Sequence, residues 1–149
     1  MQASVFAAVF AALFVAHSVG DHWVQTSAQS GTKGRPGWPG RLADARHVLT
    51  LTVTKLVVLL PVAALLDLRL SVRAGAAGLA VDAVTHWWAD RRSTLAWLAK
   101  VTGKSEFYRL GAPRPGRDDN PSIGTGAYAL DQSFHYLWLL IAALIIAHF

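Results

Sequence analysis

Residues 126–148 read GAYALDQSFHYLWLLIAALIIAH, and within them LWLLIAALIIA (137–147) has no ionisable side chain. The segment has about the 20 residues needed to cross roughly 30 Å of hydrocarbon. It is the plainest lipid-facing signal in the chain, and reading outward from it yields three further spans. The first covers 2–24, with no ionisable group from Gln2 to Ala16. A cleaved signal peptide is the rival for it, disfavoured because no Lys or Arg precedes the apolar run. The second covers 46–66, VLTLTVTKLVVLLPVAALL preceded by Arg46 and His47, with Pro61 as a kink that a bundle tolerates. The third covers 74–90 and opens on AGAAG, small residues that let neighbouring helices approach. It is short and rather polar, so it is expected to be shielded from lipid.

Composition agrees. Of 149 residues, 53% are hydrophobic and 15% charged, against about 25% charged in soluble domains. The expectation is an all-α integral membrane four-helix bundle, a single domain over 1–149. The absence of cysteine excludes disulfides and thiolate chemistry, so any metal must be held by nitrogen and oxygen. The intervening stretches 26–45 and 91–125 are Gly/Pro-rich and read as loops. Within the longer one, STLAWLAKV (93–101) suits a short interfacial helix with Leu95, Trp97, Leu98 and Val101 towards lipid.

The net charge of +5 comes from 14 Lys+Arg against 9 Asp+Glu, and its placement matters more than its size. Loops one and three carry Lys33, Arg35, Arg41, Arg91, Arg92, Lys100, Lys104, Arg109, Arg114 and Arg117, whereas the second carries only Arg69 and Arg73. The positive-inside bias then puts loops one and three in the cytoplasm and both termini on the outer side of an inner membrane. That accounts for most of the excess positive charge without nucleic acid. The basic loops do contain Trp38, Trp97, Phe107 and Tyr108, but no nucleic-acid recognition motif.

The chemistry-bearing residues are paired. His17 and Asp21 close the first span, His86 and Asp90 the third, and Asp131 and His135 open the fourth, each at i, i+4. That spacing puts both side chains on one helical face. With the inferred topology, every Asp lies nearer the cytoplasm and every His one turn deeper, and His47 falls at the same end. Asp82 extends the row on the third span, while Lys55, two turns below His47, is a candidate charge partner for it. One such pair alone is as often a helix-end His and Asp bonded to backbone. Three pairs and His47 at one depth point to a site with metal ligands His17, Asp21, His47, Asp82, His86, Asp90, Asp131 and His135. Ionisable groups at membrane depth need pairing, water or a cation to persist. Imidazole with carboxylate suits one or two divalent ions, zinc, manganese or iron ahead of magnesium. Two ions, at +4, would balance Asp21, Asp82, Asp90 and Asp131.

At these residues the sequence resembles a family of small bacterial and phage integral membrane proteins known as domain of unknown function 3307. The shared elements are AHSVGDHWVQ (His17, Gly20, Asp21, Gln25), His47, HWWAD (His86, Asp90) and DQSFH (Asp131, Gln132, His135). The resemblance spans nearly the whole chain and departs in the Arg-rich PRPGRDDNPSIGTG segment (113–126). It implies a four-helix membrane fold and a polar cluster, and it implies no reaction.

The leading expectation is a metal-dependent hydrolase at the cytoplasmic face, acting on a phosphoester or another anionic lipid-linked substrate. Asp90 or Asp131 would serve as general base. Arg91 would clamp phosphate, with Arg92, Arg114 and Arg117 as alternatives. Gln25 and Gln132 would orient ligands. Asp118, Asp119 and Asn120 offer a lid, although a plain capped turn suits them better. Two other classes compete. The cluster could be a relay in a small cation or proton transporter or channel, as a homo-oligomer, but such a path should continue across the membrane, and the far halves of the spans are almost purely apolar. It could also be an internal polar network fixing helix register in a structural or regulatory protein.

Overall fold

The computed structural model describes residues 3–117 and 124–148. They form α1 (Ala3–Val19), a π-helical turn (Gly20–Val24), α2 (Ser27–Thr32), α3 (Gly37–Leu65), α4 (Val72–Asp90), α5 (Ser93–Val101), α6 (Ser105–Tyr108) and α7 (Gly126–His148), with no strand among the described residues. Asp118, Asp119 and Asn120 lie outside the described residues.

Helices α1, α3, α4 and α7 pack in a ring, α1 against α3 and α7, and α4 against α7 and α3. Three helical segments, Ala3–Val24, Gly37–Leu65 and Gly126–His148, are long and apolar enough to cross a membrane. Helix α4 has the length, 19 residues, but Asp82, Thr85 and His86 interrupt its apolar character. On α3 the outward Leu49, Val57 and Leu60 are 64%, 65% and 61% exposed, a surface that in water would be a liability and in lipid is ordinary.

The dry end of the ring is filled by Val9 and Leu13 of α1, Leu59 of α3, Leu79 of α4, and Leu139 and Ile146 of α7. Where lipid tails are as apolar as leucine, close fit rather than transfer from water holds such helices together. Gly78 shows the requirement: a Cβ there would meet Ile146 Cγ1 at 2.6 Å and the Ala142 carbonyl oxygen at 2.8 Å. The small-residue run of α4 thus serves as expected through Ala74 and Gly78, both buried. Gly75 faces open space.

Stretch 26–45, expected to be a loop, is largely helical. Thr26 caps α2 in a reciprocal box: its hydroxyl accepts from the Gln29 N–H at 3.2 Å and its N–H donates to Gln29 Oε1 at 2.8 Å. Helix α3 begins nine residues before position 46, because its prolines fall where they do no harm. Pro36 is the N-cap and Pro39 sits in the first turn, where backbone N–H groups have no helical partner to lose. The short helix α5 forms at 93–101 as expected, with Trp97 58% and Val101 59% exposed. Leu95, expected to face lipid, is instead buried at 4%, facing inward with Ala99.

Candidate metal centre

The buried stripe of each long helix changes character towards one end of the ring. On α3 it runs Gly40, Asp44, His47, Leu51, Lys55, Leu59, the three-and-four spacing of one helical face. Each long helix contributes one imidazole to the same level: His17, His47, His86 and His135 are 0%, 0%, 1% and 2% exposed. The His86 and His135 rings stack at 3.9 Å, and His17 lies 5.5 Å from His86 and 5.2 Å from His135 between centroids. His47 Nε2 is 3.1 Å from His86 Nε2.

Carboxylates close the layer. Asp21 Oδ1 lies 3.1 Å from His47 Nε2 and 3.8 Å from His86 Nε2, and Asp21 Oδ2 lies 3.5 Å from His17 Nε2. Asp90 Oδ2 is 3.2 Å from His86 Nε2 and 3.5 Å from His47 Nε2, and Asp90 Oδ1 is 3.9 Å from His135 Nε2. Two sets, Asp21–His47–His86 and His86–Asp90–His135, bring one ligand atom per residue within 4.8 Å of one another, the reach of a single metal ion. Four ring nitrogens of these residues are buried without a hydrogen bond, Nδ1 of His17, His47 and His86 and Nε2 of His135. Buried polar atoms left so need compensation, and a cation suits this donor set.

The π-helical turn helps to place Asp21. The Gln25 N–H reaches back five residues to the Gly20 carbonyl at 2.9 Å, a widening often found at functional sites. Gly20 lets this turn lie against α3, since a Cβ would meet Leu51 Cδ1 at 2.2 Å.

Six of the eight expected ligands, His17, Asp21, His47, His86, Asp90 and His135, converge. Asp131 stands at the rim, its side chain 25% exposed and 3.5 Å from His135 Nε2. Asp82 does not join. It pairs with the Lys55 ammonium at 2.5 Å, both side chains being 5% exposed or less. Spacing places Asp82 on the face of His86 and Asp90 but a turn deeper, where Lys55 meets it; Lys55 is therefore the partner of Asp82 and not of His47. Gln132 fits the orienting role, its Oε1 3.4 Å from His17 Nε2 and its amide donating to Asp131 Oδ2 at 3.3 Å. Gln25 holds no ligand; its Nε2 is buried without a hydrogen bond.

Arg91 does not present its guanidinium to a substrate. It donates from Nη1 to the Lys33 carbonyl and from Nη2 to the Arg35 carbonyl, and lies 3.8 Å from Asp44 Oδ2. Two residues escaped sequence reasoning. Lys33, counted only as loop charge, places its ammonium 2.8 Å from Asp90 Oδ2. Asp44 is fully buried; its spacing of three from His47 would have revealed it had the helix been taken back to position 37.

A cavity of about 620 Å³ opens over the layer, lined by Asp21, Asp90 and Asp131 together with Lys33, Arg92 and Tyr108. The four histidines lie behind these carboxylates. Burial and nearby Asp131 push the Tyr108 hydroxyl above its ordinary range, against the pull of Arg92, and the hydroxyl donates to the Arg92 carbonyl at 3.5 Å. Leu95 also lines this space, which is why it turned inward. No family model matches the chain, and neither the search of curated proteins nor that of solved structures found a match.

Proposed function

We propose that the chain is a membrane-embedded, metal-dependent hydrolase with α4 as its fourth, shielded span, and that it belongs with the family its His/Asp motifs resemble. One observation carries this: His47, His86 and His135 from three helices converge with Asp21 and Asp90, with His17 of the fourth beside Asp21, behind a cavity open at one end, while the other end is closed by Leu13, Leu59, Leu139 and Ile146. A conducting path would need polar groups beyond Lys55 and Asp82, and that dry cluster follows instead.

Charge sets the number of ions at one. Among the described residues, Lys55 offsets Asp82, Lys33 offsets Asp90 and Arg91 faces Asp44, which leaves Asp21 and Asp131 with no ammonium or guanidinium in an ion pair. A single divalent ion balances that pair; the four-carboxylate balance for two ions dissolves because Asp82 and Asp90 already have ammonium partners. Zinc, manganese or iron(II) suits the ligands. Such an ion supplies an acidified water and offsets charge developing on the substrate. Asp131, the most accessible carboxylate of the set and adjacent to His135, is placed to take the proton as general base. Arg92, which lines the cavity and spends only Nη2 on a backbone carbonyl, takes over the phosphate contact expected of Arg91 through its remaining N–H groups. The substrate class is an anionic, lipid-linked phosphoester at the inner membrane's cytoplasmic face, where loops one and three lie and both termini are opposite.

The test is elemental analysis of detergent-purified protein alongside phosphate release from a lipid phosphate monoester in mixed micelles. Near-stoichiometric metal, lost in His86→Ala, and turnover that falls in Asp131→Asn while metal stays are expected. Metal well below one equivalent overturns the proposal.

A further inference from the structure

Residues 26–36, TSAQSGTKGRP, contain Ala28 and Pro36 as their sole apolar residues beside glycine, and Lys33 is the one buried side chain among them. Nothing apolar therefore holds this segment down. Apart from the packing of α2 against α3, what holds it is the consecutive trio at the end of α4. Asp90 takes the Lys33 ammonium at 2.8 Å, Arg91 donates to the Lys33 and Arg35 carbonyls, and Arg92 Nη2 donates to the Ser30 carbonyl at 3.1 Å. Arg92 adopts φ 57, a sparsely populated conformation for a residue with a side chain. The same segment forms part of the cavity wall through Ser30, Gly31 and Lys33.

We infer that residues 26–36 are a hinged cover over the His/Asp centre, latched by Asp90, Arg91 and Arg92, which regulates entry of metal and substrate. This rests on the metal reading above. Polar ties to exposed backbone are replaced by water when they open, so a segment held by them and by the packing of α2 against α3, with no apolar side chain buried, belongs to the low-stability end of a fold. Lys33 makes the latch specific to this site: its ammonium sits on a carboxylate of the ligand set, so opening the cover also bares Asp90.

Hydrogen exchange of the full chain in detergent, read by mass spectrometry, tests the cover without reference to metal. Arg92→Ala removes one tie, and exchange across 27–35 is expected to rise about tenfold while α1 and α7 stay as they were. Gly34→Ala is an independent second variant, since its Cβ would lie 2.6 Å from Arg92 Cδ and displace that side chain; the same rise is expected. In both, uptake of zinc and its release to a chelator should quicken together. Unaltered exchange in both variants overturns the cover. Faster exchange with unaltered zinc rates overturns its gating role. Wild-type protein that takes up no zinc at all overturns the metal proposal instead, with the exchange result still deciding whether the segment opens.

Discussion

Leu13 and His17 sit one turn apart on α1 and both are fully buried, yet they belong to different kinds of interior. The same step recurs on α7 between Leu139 and His135 and on α3 between Leu59 and Lys55. In the dry half, stability comes from shape, and each methyl group is felt where it touches. In the polar half, shape is secondary to charge balance, since any ionisable group left alone there is far more costly than a gap. The boundary between the two is the Lys55–Asp82 pair, which ends the polar half without exposing a charge to hydrocarbon.

The largest effect should come from that boundary. Lys55→Met leaves Asp82 buried without its partner and should destabilise by about 3–5 kcal/mol, measured by thermal unfolding in detergent. Lys55→Met with Asp82→Leu should recover most of the loss, and a double variant no better than the single would break the account of the boundary. Leu139→Ala, in the dry half, should lose about 2–5 kcal/mol through the cavity it leaves while metal content stays at the wild-type level. A fall in metal there would mean that the halves are not separable.

His86→Ala should do the reverse, reducing metal affinity by more than the roughly 10–100-fold typical of an outer-shell change, with little loss of stability in the metal-free protein. Because imidazole must be neutral to bind, metal should be retained at neutral pH and released on acidification as the histidines take up protons; titration of bound zinc between pH 7 and 5 checks the sign. Gln132→Leu, which frees His17 and Asp131 from their bridging amide, should weaken metal binding by roughly 10–100-fold. The smallest effect belongs to Gly78→Ala. Crowding Ile146 should cost about 1–3 kcal/mol, again with metal unchanged.

Much of the polar half was legible in the sequence because helical periodicity and depth are both written in it. Three His/Asp pairs at i, i+4 and one isolated His47 named seven residues, of which all but Asp131 converge. Periodicity alone could not separate Asp82 from them: positions 82, 86 and 90 share a face, and only the tertiary pairing with Lys55 shows that Asp82 belongs one level deeper. The start of α3 was obscured because Pro36, Gly37, Pro39 and Gly40 carry the composition of a loop, although a first helical turn accepts them. With that turn went Asp44. Lys33 was hidden for another reason, since nothing local says that a loop ammonium will fold back onto a carboxylate 57 positions away.

Helix α3 has one further consequence. Its 29 residues rise about 43 Å at roughly 1.5 Å each, some 13 Å more than a hydrocarbon layer of about 30 Å. With its far end level with that layer, His47, ten residues from Gly37, stands within a few ångströms of the acyl boundary. A phosphoester in the bilayer would then present its polar group to the His/Asp centre while its chains stay among their neighbours, so turnover should follow headgroup chemistry and be indifferent to chain length or unsaturation.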